Sequence, residues 1–131
     1  MSDGTVTGPP YILVVEDNAA NQMLIQFTLE SGGYQAAVAG SAKEALASIQ
    51  QHRPDLILMD IQLPGVDGLT LTKQLKADPA TKAIPVVALT ARAMAGDREL
   101  TLAAGCVGYI SKPIDTRTIG DVIAGFLTNG T

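Results

Sequence analysis

The chain has 131 residues, of which 47% are hydrophobic but only 4% aromatic, with no Trp, so it suits a single domain built around an aliphatic core. Its formal net charge is −4 and its pI about 4.7; with no run of Lys or Arg to track a phosphate backbone, direct nucleic-acid binding is not expected. Its apolar runs are far too short to span a membrane, Met1–Pro10 has the features of no secretory signal, and a lone Cys106 permits no internal disulfide, all of which favours the cytoplasm.

Residues 1–10, MSDGTVTGPP, read as a disordered tail. Tyr11–Val15 is a short aliphatic strand. A helix follows from Asn18 to about Ser31, with Met23, Leu24 and Phe27 expected on its inner face, and Gly32-Gly33 stops it. Tyr34–Ala39 is a weaker strand. Ser41 and Glu44 form a capping-box pattern ahead of a stripe of Ala42, Ala45, Leu46 and Ile49, and Pro54 closes that helical zone. Asp55–Asp60 is the third strand, and the Pro64-Gly65 turn leads to a helix from Gly68 to about Ala77 carried by Leu71 and Leu75. Asp78-Pro79 breaks it. Ile84–Thr90 is the fourth strand. A helix with a thin apolar stripe runs from Ala95 to about Ala104, and Val107–Ile110 is the fifth strand. The last helix extends from Asp115 to about Leu127 with Ile119, Val122, Ile123 and Phe126 in helical register. The domain is expected over 11–127, with 128–131 as a short tail.

Five strand–helix units joined by short links imply an α/β fold with a parallel sheet covered by helices on both faces. The strands are continuous apolar runs, as doubly covered strands should be. A doubly wound, flavodoxin-like order of 2-1-3-4-5 follows, with the ligand crevice outside the carboxyl ends of strands 1 and 3.

Those carboxyl ends carry the chemistry. Strand 1 runs into Glu16-Asp17, strand 3 ends in Asp60, strand 4 in Thr90-Ala91, and strand 5 is followed by Ser111-Lys112-Pro113. Three carboxylates on one rim repel one another unless a cation sits among them. With oxygen ligands and no His or Cys nearby, Mg²⁺ fits better than Ca²⁺ or Zn²⁺. An Asp in such a place can accept a phosphoryl group on its carboxylate. Lys112 and the metal would offset charge on the transferring group, and Thr90 would donate a hydrogen bond to it.

The blocks ILVVEDN (12–18), LILMDIQLPGVDG (56–68), VVALTA (86–91) and YISKPI (109–114) resemble the signature blocks of response-regulator receiver domains of the CheY-like kind. The resemblance runs from about Tyr11 to Leu127. EDNAANQ and GCVGYISKPI are most similar to DivK-type single-domain regulators and hybrid-kinase receivers. It implies that Asp60 is phosphorylated, that Asp17 ligates Mg²⁺ directly, with Glu16 the second acid and the Gln62 carbonyl a further ligand, and that Lys112 pairs with the phosphoryl group beside a cis bond to Pro113. It implies a switch pair in Thr90 and Tyr109, and rate-tuning positions in Gln62 and Arg92. It further implies a phosphorelay receiver served by a histidine kinase or histidine phosphotransfer domain. The only enzymatic steps expected are its own phosphorylation and autodephosphorylation. The output surface is the fourth helix, fifth strand and fifth helix, in a monomer or a dimer formed on phosphorylation. With no output domain expected after residue 127, the signal would leave by protein contact or onward phosphotransfer.

Plainer readings exist for each residue. Asp17 and Asn18 are both good N-caps. Thr90 is an ordinary strand residue, and Lys112 alone would be a solvated lysine. Cys106 reads as a small buried filler, and His52 as a surface residue. Two other functional classes share parts of the pattern. A flavodoxin-type carrier needs a glycine- and hydroxyl-rich phosphate loop where Glu16-Asp17 stands. An aspartate-based phosphatase usually wants a second acid two residues after its nucleophile, where this chain has Gln62.

Overall fold

The structure, a computed structural model, describes residues 9–63, 67–90 and 95–129. Most of the expected N-terminal tail, the Pro64-Gly65 turn, Arg92 and the end of the C-terminal tail lie outside these residues.

The elements are β1 (Tyr11–Val15), α1 (Ala19–Ser31), β2 (Gln35–Ala39), α2 (Ala42–Gln51), β3 (Leu56–Asp60), α3 (Gly68–Ala77), β4 (Val86–Thr90), α4 (Ala95–Ala104), β5 (Gly108–Ser111) and α5 (Ile119–Asn129). The strands form one sheet in the order β2-β1-β3-β4-β5, and every neighbouring pair is parallel. This is the expected doubly wound fold.

Alternate strand residues face opposite ways, so each strand feeds two cores. Leu13, Val15, Ile57, Met59, Val86 and Ala88 meet Ala45 and Ile49 of α2 and Leu71 and Leu75 of α3 on one face. Ile12, Val14, Leu58 and Leu89 meet Ile25 and Leu29 of α1 and Ile119 and Ile123 of α5 on the other. With both faces covered, β1, β3 and β4 are buried almost end to end.

The inner face of α1 differs from the expected one. Met23 and Phe27 are each 71% exposed and Leu24 is 45% exposed, while Ile25 and Leu29 point into the core. Ile25 and Leu29 lie one turn apart. The positions flanking them, Gln22 and Gln26, are polar yet half-buried, because each amide donates to a main-chain carbonyl, that of Glu16 and of Ala36 respectively. Apolar count alone therefore chose the wrong stripe.

Smaller differences lie at element ends. Tyr34 precedes β2, and its hydroxyl donates to the Gly120 carbonyl at 2.9 Å. The last helix opens at Ile119 rather than Asp115, after a turn in which the N–H groups of Thr118 and Ile119 both donate to the Asp115 carbonyl. Ile84 belongs to the turn before β4, its N–H bonded to the Thr81 carbonyl. Ser41 caps α2 by accepting from the Glu44 N–H, but the Glu44 carboxylate accepts from Gly40 N–H, one residue before the expected partner. His52 is exposed, with its ring stacked on Tyr11 at 4.1 Å.

Candidate functional site

The parallel register carries the acids to one place. Val15 lies beside Met59, so the next residues along, Glu16 and Asp60, emerge side by side at the carboxyl ends of β1 and β3. The chain departs in opposite directions from this point, to β2 on one side and to β4 on the other, which opens a crevice between the two exits. Glu16, Asp17 and Asp60 each offer a carboxylate oxygen there, and these oxygens all lie within 4.8 Å of one another.

Burial makes that crowding costly. Glu16 is 1% exposed and Asp60 3%, so both charges need partners. Lys112 supplies one: its ammonium donates to Glu16 Oε1 at 2.8 Å and to Asp60 Oδ2 at 2.9 Å. The other oxygens are held by main-chain groups. Asp60 Oδ1 accepts from the Gln62 N–H at 2.9 Å, and Glu16 Oε2 from the Asn18 N–H at 3.1 Å. Asp17 alone is exposed, and its carboxylate has no hydrogen-bond partner among the described residues. The N-cap of α1 is Asn18, whose side chain accepts from the Asn21 N–H, so Asp17 is released from capping.

Lys112 is positioned by its main chain as well as its charge. Its N–H donates to the Thr90 carbonyl at 2.7 Å, extending the β4–β5 ladder past Thr90 and Ser111. The Lys112–Pro113 bond is cis, as expected. Burial alone would lower the ammonium pKa. Its hydrogen bonds to Glu16 and Asp60, with their negative charges, outweigh that and raise it.

The remaining predicted residues are spread around this centre. Thr90 is buried at 3% exposure at the end of β4. Tyr109 is half-buried, aligned with Ala88 of β4 and packed against the core under α2 and α3. Gln62 is exposed, and what it contributes here is the N–H that holds Asp60. A cleft between α1 and the β5–α5 connection opens onto Glu16 and Lys112, with Leu24, Pro113 and Ile114 on its walls.

Two positions escaped the sequence reading. Gly68 has to be glycine because a Cβ there would stand 2.2 Å from the Asp60 carbonyl oxygen and 2.8 Å from Ile61 Cα. Its N–H closes the loop by donating to the Ile61 carbonyl. Gln22 reaches back from α1 to the Glu16 carbonyl. A glycine opening a helix a few residues after the Asp60 strand end was a readable signal for the first. The second had none, because a helical glutamine is ordinary.

Formally, three carboxylates and one ammonium leave two negative charges uncompensated. An all-oxygen donor set with that deficit fits a hard divalent cation. Among the described residues this is where His, Cys, Asp and Glu cluster closely enough to hold a metal.

Residues 12–124 match the response regulator receiver domain family. The chain is a response-regulator receiver domain. It is 46% identical over 119 residues to the polar-differentiation response regulator DivK of Brucella anthropi, covering 91% of this chain and 97% of that protein. Among solved structures it is similar to the receiver domain of a sensor histidine kinase from Pseudomonas aeruginosa, with TM-score 0.83 and 36% identity over 92% of this chain and 99% of that one. That structure has a magnesium ion coordinated in its active-site cleft. The chemotaxis protein CheY4 of Vibrio cholerae gives TM-score 0.85 at 25% identity, covering 90% and 98%. Receiver domains serve two-component signalling through phosphorylation of an aspartate, take that group from histidine kinases or phosphotransfer proteins, and bind a divalent metal. Among the described residues, no helix of this receiver is long and apolar enough to cross a membrane.

Proposed function

We propose that Asp60 is the phosphoacceptor of a cytoplasmic phosphorelay receiver formed by residues 11–127, and that Glu16, Asp17, Asp60 and the Gln62 carbonyl hold Mg²⁺ beside it. The observation that carries this reading is the state of the Asp60 carboxylate. It is buried at a strand end, gripped by Lys112 on one oxygen and by a main-chain N–H on the other, with two more acids within reach.

A carboxylate oxygen of Asp60 attacks the phosphorus of a phosphohistidine, presented by a histidine kinase or phosphotransfer domain. The P–N bond breaks, its electron pair returns to the imidazole, and an aspartyl phosphate forms. Mg²⁺, when bound, offsets negative charge on the transferring group. Lys112 is already within hydrogen-bond distance of Asp60, so it meets the incoming phosphoryl oxygens with little reorganisation. The same residues let the domain phosphorylate itself from a small donor and later release phosphate; no other catalytic activity is needed.

The product brings about two negative charges and strong acceptor oxygens to a rim whose three carboxylates only Lys112 and a bound divalent ion would balance. Thr90 turns its hydroxyl to the phosphoryl group, and Tyr109 moves inward into the space this opens. The surface of α4, β5 and α5 then changes. Moving such a surface from mostly off to mostly on takes about 5.5 kcal/mol of differential binding, within reach of one multidentate phosphoryl site. The receiver then signals by contact, as a monomer or as a dimer formed on phosphorylation.

The test uses acetyl phosphate as donor and intact mass as readout, with and without Mg²⁺. The native chain should gain one phosphoryl group only with the metal, and Asp60→Asn should gain none. Modification of Asp60→Asn to the native extent would sink the assignment.

A further inference from the structure

We infer that Gln22 is a positioning residue for the acidic pocket, holding the Glu16–Asp17 peptide in the orientation that a divalent cation needs. The inference rests on the metal site proposed above. The β1–β2 ladder ends with Val15 opposite Ala39, and the Glu16 N–H makes one more bond, to the Ala39 carbonyl at 2.9 Å. The Glu16 carbonyl lies beyond it, in a residue only 1% exposed. A buried carbonyl needs a donor, and the Gln22 amide fills that need at 2.5 Å.

Gln22 can do so because α1 starts immediately after the acids. Its own N–H is bonded to the Asn18 carbonyl in the first turn, which leaves its side chain pointing back toward the strand end. The peptide is planar, so fixing the Glu16 carbonyl also fixes the Asp17 nitrogen and the direction in which Asp17 leaves the strand. That matters most for Asp17, whose exposed carboxylate has no other partner among the described residues. The Glu16 and Asp60 carboxylates are each tied at both oxygens; among the described residues Asp17 is placed by its main chain alone. Groups behind a metal ligand often set affinity in this way.

Gln26 provides an internal comparison. One turn along α1 its amide makes the same kind of bond to the Ala36 carbonyl of β2, at 3.0 Å, and no bond to the acids. Magnesium titration by calorimetry, paired with thermal denaturation without metal, is carried out on the full chain with Gln22→Met and Gln26→Met. Both substitutions should lower the melting temperature by similar amounts. Only Gln22→Met should weaken Mg²⁺ binding, by roughly tenfold, and saturating Mg²⁺ should restore its labelling by acetyl phosphate. Should Gln22→Met fail to fold, Gln22→Ala, which admits water in place of the amide, should show the same selective loss. Native affinity in either foldable Gln22 variant, or an equal loss in Gln26→Met, overturns the inference while leaving the metal site standing. A native chain that binds no Mg²⁺ overturns both.

Discussion

Lys112 and Lys76 sit at opposite ends of the same sheet and show what a half-buried ammonium does in two settings. Lys112, at the carboxyl rim, donates to two carboxylates, and their hydrogen bonds and charges raise its pKa against the opposing effect of burial. Lys76, at the end of α3, donates to two neutral carbonyls, of Lys82 at 3.1 Å and Ile84 at 2.6 Å. Burial dominates there and lowers its pKa, with the nearby Cys106 pulling the other way. Lys76 ties the α3–β4 connection together, and its stem also covers Gly105, where a Cβ would stand 2.6 Å from Lys76 Cγ. One lysine sits between carboxylates and the other closes carbonyls; the partner chemistry, not the residue type, sets which way each ammonium is shifted.

Replacing each lysine by Met gives the largest expected contrast. Lys112→Met should slow labelling of Asp60 by acetyl phosphate about 100-fold, the usual loss on removing a charged donor from a transferring group. It should also cost about 2 kcal/mol of stability without metal, since Glu16 and Asp60 would face each other with no ammonium between them. Added Mg²⁺ should recover part of that loss. Lys76→Met should lose about 2 kcal/mol to unpaired carbonyls yet label at close to the native rate, because the two ends share no partner. Equal labelling defects in the two variants would erase the distinction.

Glycines at the two ends sharpen the same contrast. Gly68→Ala drives a Cβ into main-chain atoms of Asp60 and Ile61, which cannot yield without moving the Asp60 carboxylate. A loss of about 3 kcal/mol in urea denaturation is expected, together with weaker Mg²⁺ binding. Gly105→Ala meets mainly a flexible lysine stem, and its φ of +109° adds a backbone cost. A loss of about 1–2 kcal/mol is expected, with labelling unchanged. In α5, where a Cβ on Gly125 would touch nothing, Gly125→Ala should gain up to about 1 kcal/mol.

How much of this was legible beforehand follows from what each feature depends on. The sheet order could be read because aliphatic runs alternate with amphipathic ones and because chain handedness leaves few ways to wind them. The acids and Lys112 could be read because each stands at or just past the carboxyl end of a strand, where the fold itself gathers residues. The inner stripe of α1 could not. Ile25 and Leu29 compete with Met23, Leu24 and Phe27 in the same helix, and Gln22 and Gln26 take inward-flanking places for the sake of carbonyls that only tertiary structure puts there. The grip of the Gln62 N–H on Asp60 and of the Thr90 carbonyl on Lys112 was equally hidden, since main-chain bonds leave no mark on side-chain identity.

The smallest expected effect concerns Cys106, which lies beside Lys76 and tests whether that end of the sheet is scaffold alone. Burial raises the thiol pKa, and its hydrogen bond with Thr72 and the Lys76 charge lower it by less. The native state therefore favours the protonated thiol relative to the unfolded chain. The stabilisation is whole below the ordinary thiol value of 9.0 and is lost as pH climbs through the raised native value. Lys76 acts with the opposite sign: its lowered pKa penalises the fold while it is charged, and that penalty lifts as pH rises, so net stability would blur the two. Labelling with a thiol reagent separates them, because it follows the Cys106 thiolate directly. Native protein should label far more slowly at pH 8 than urea-unfolded protein, and its rate should climb at higher pH than in the unfolded chain. Rapid native labelling at pH 8 would mean an accessible thiolate beside Lys76, and the amino-terminal end of the sheet would then hold a reactive site rather than a clamp.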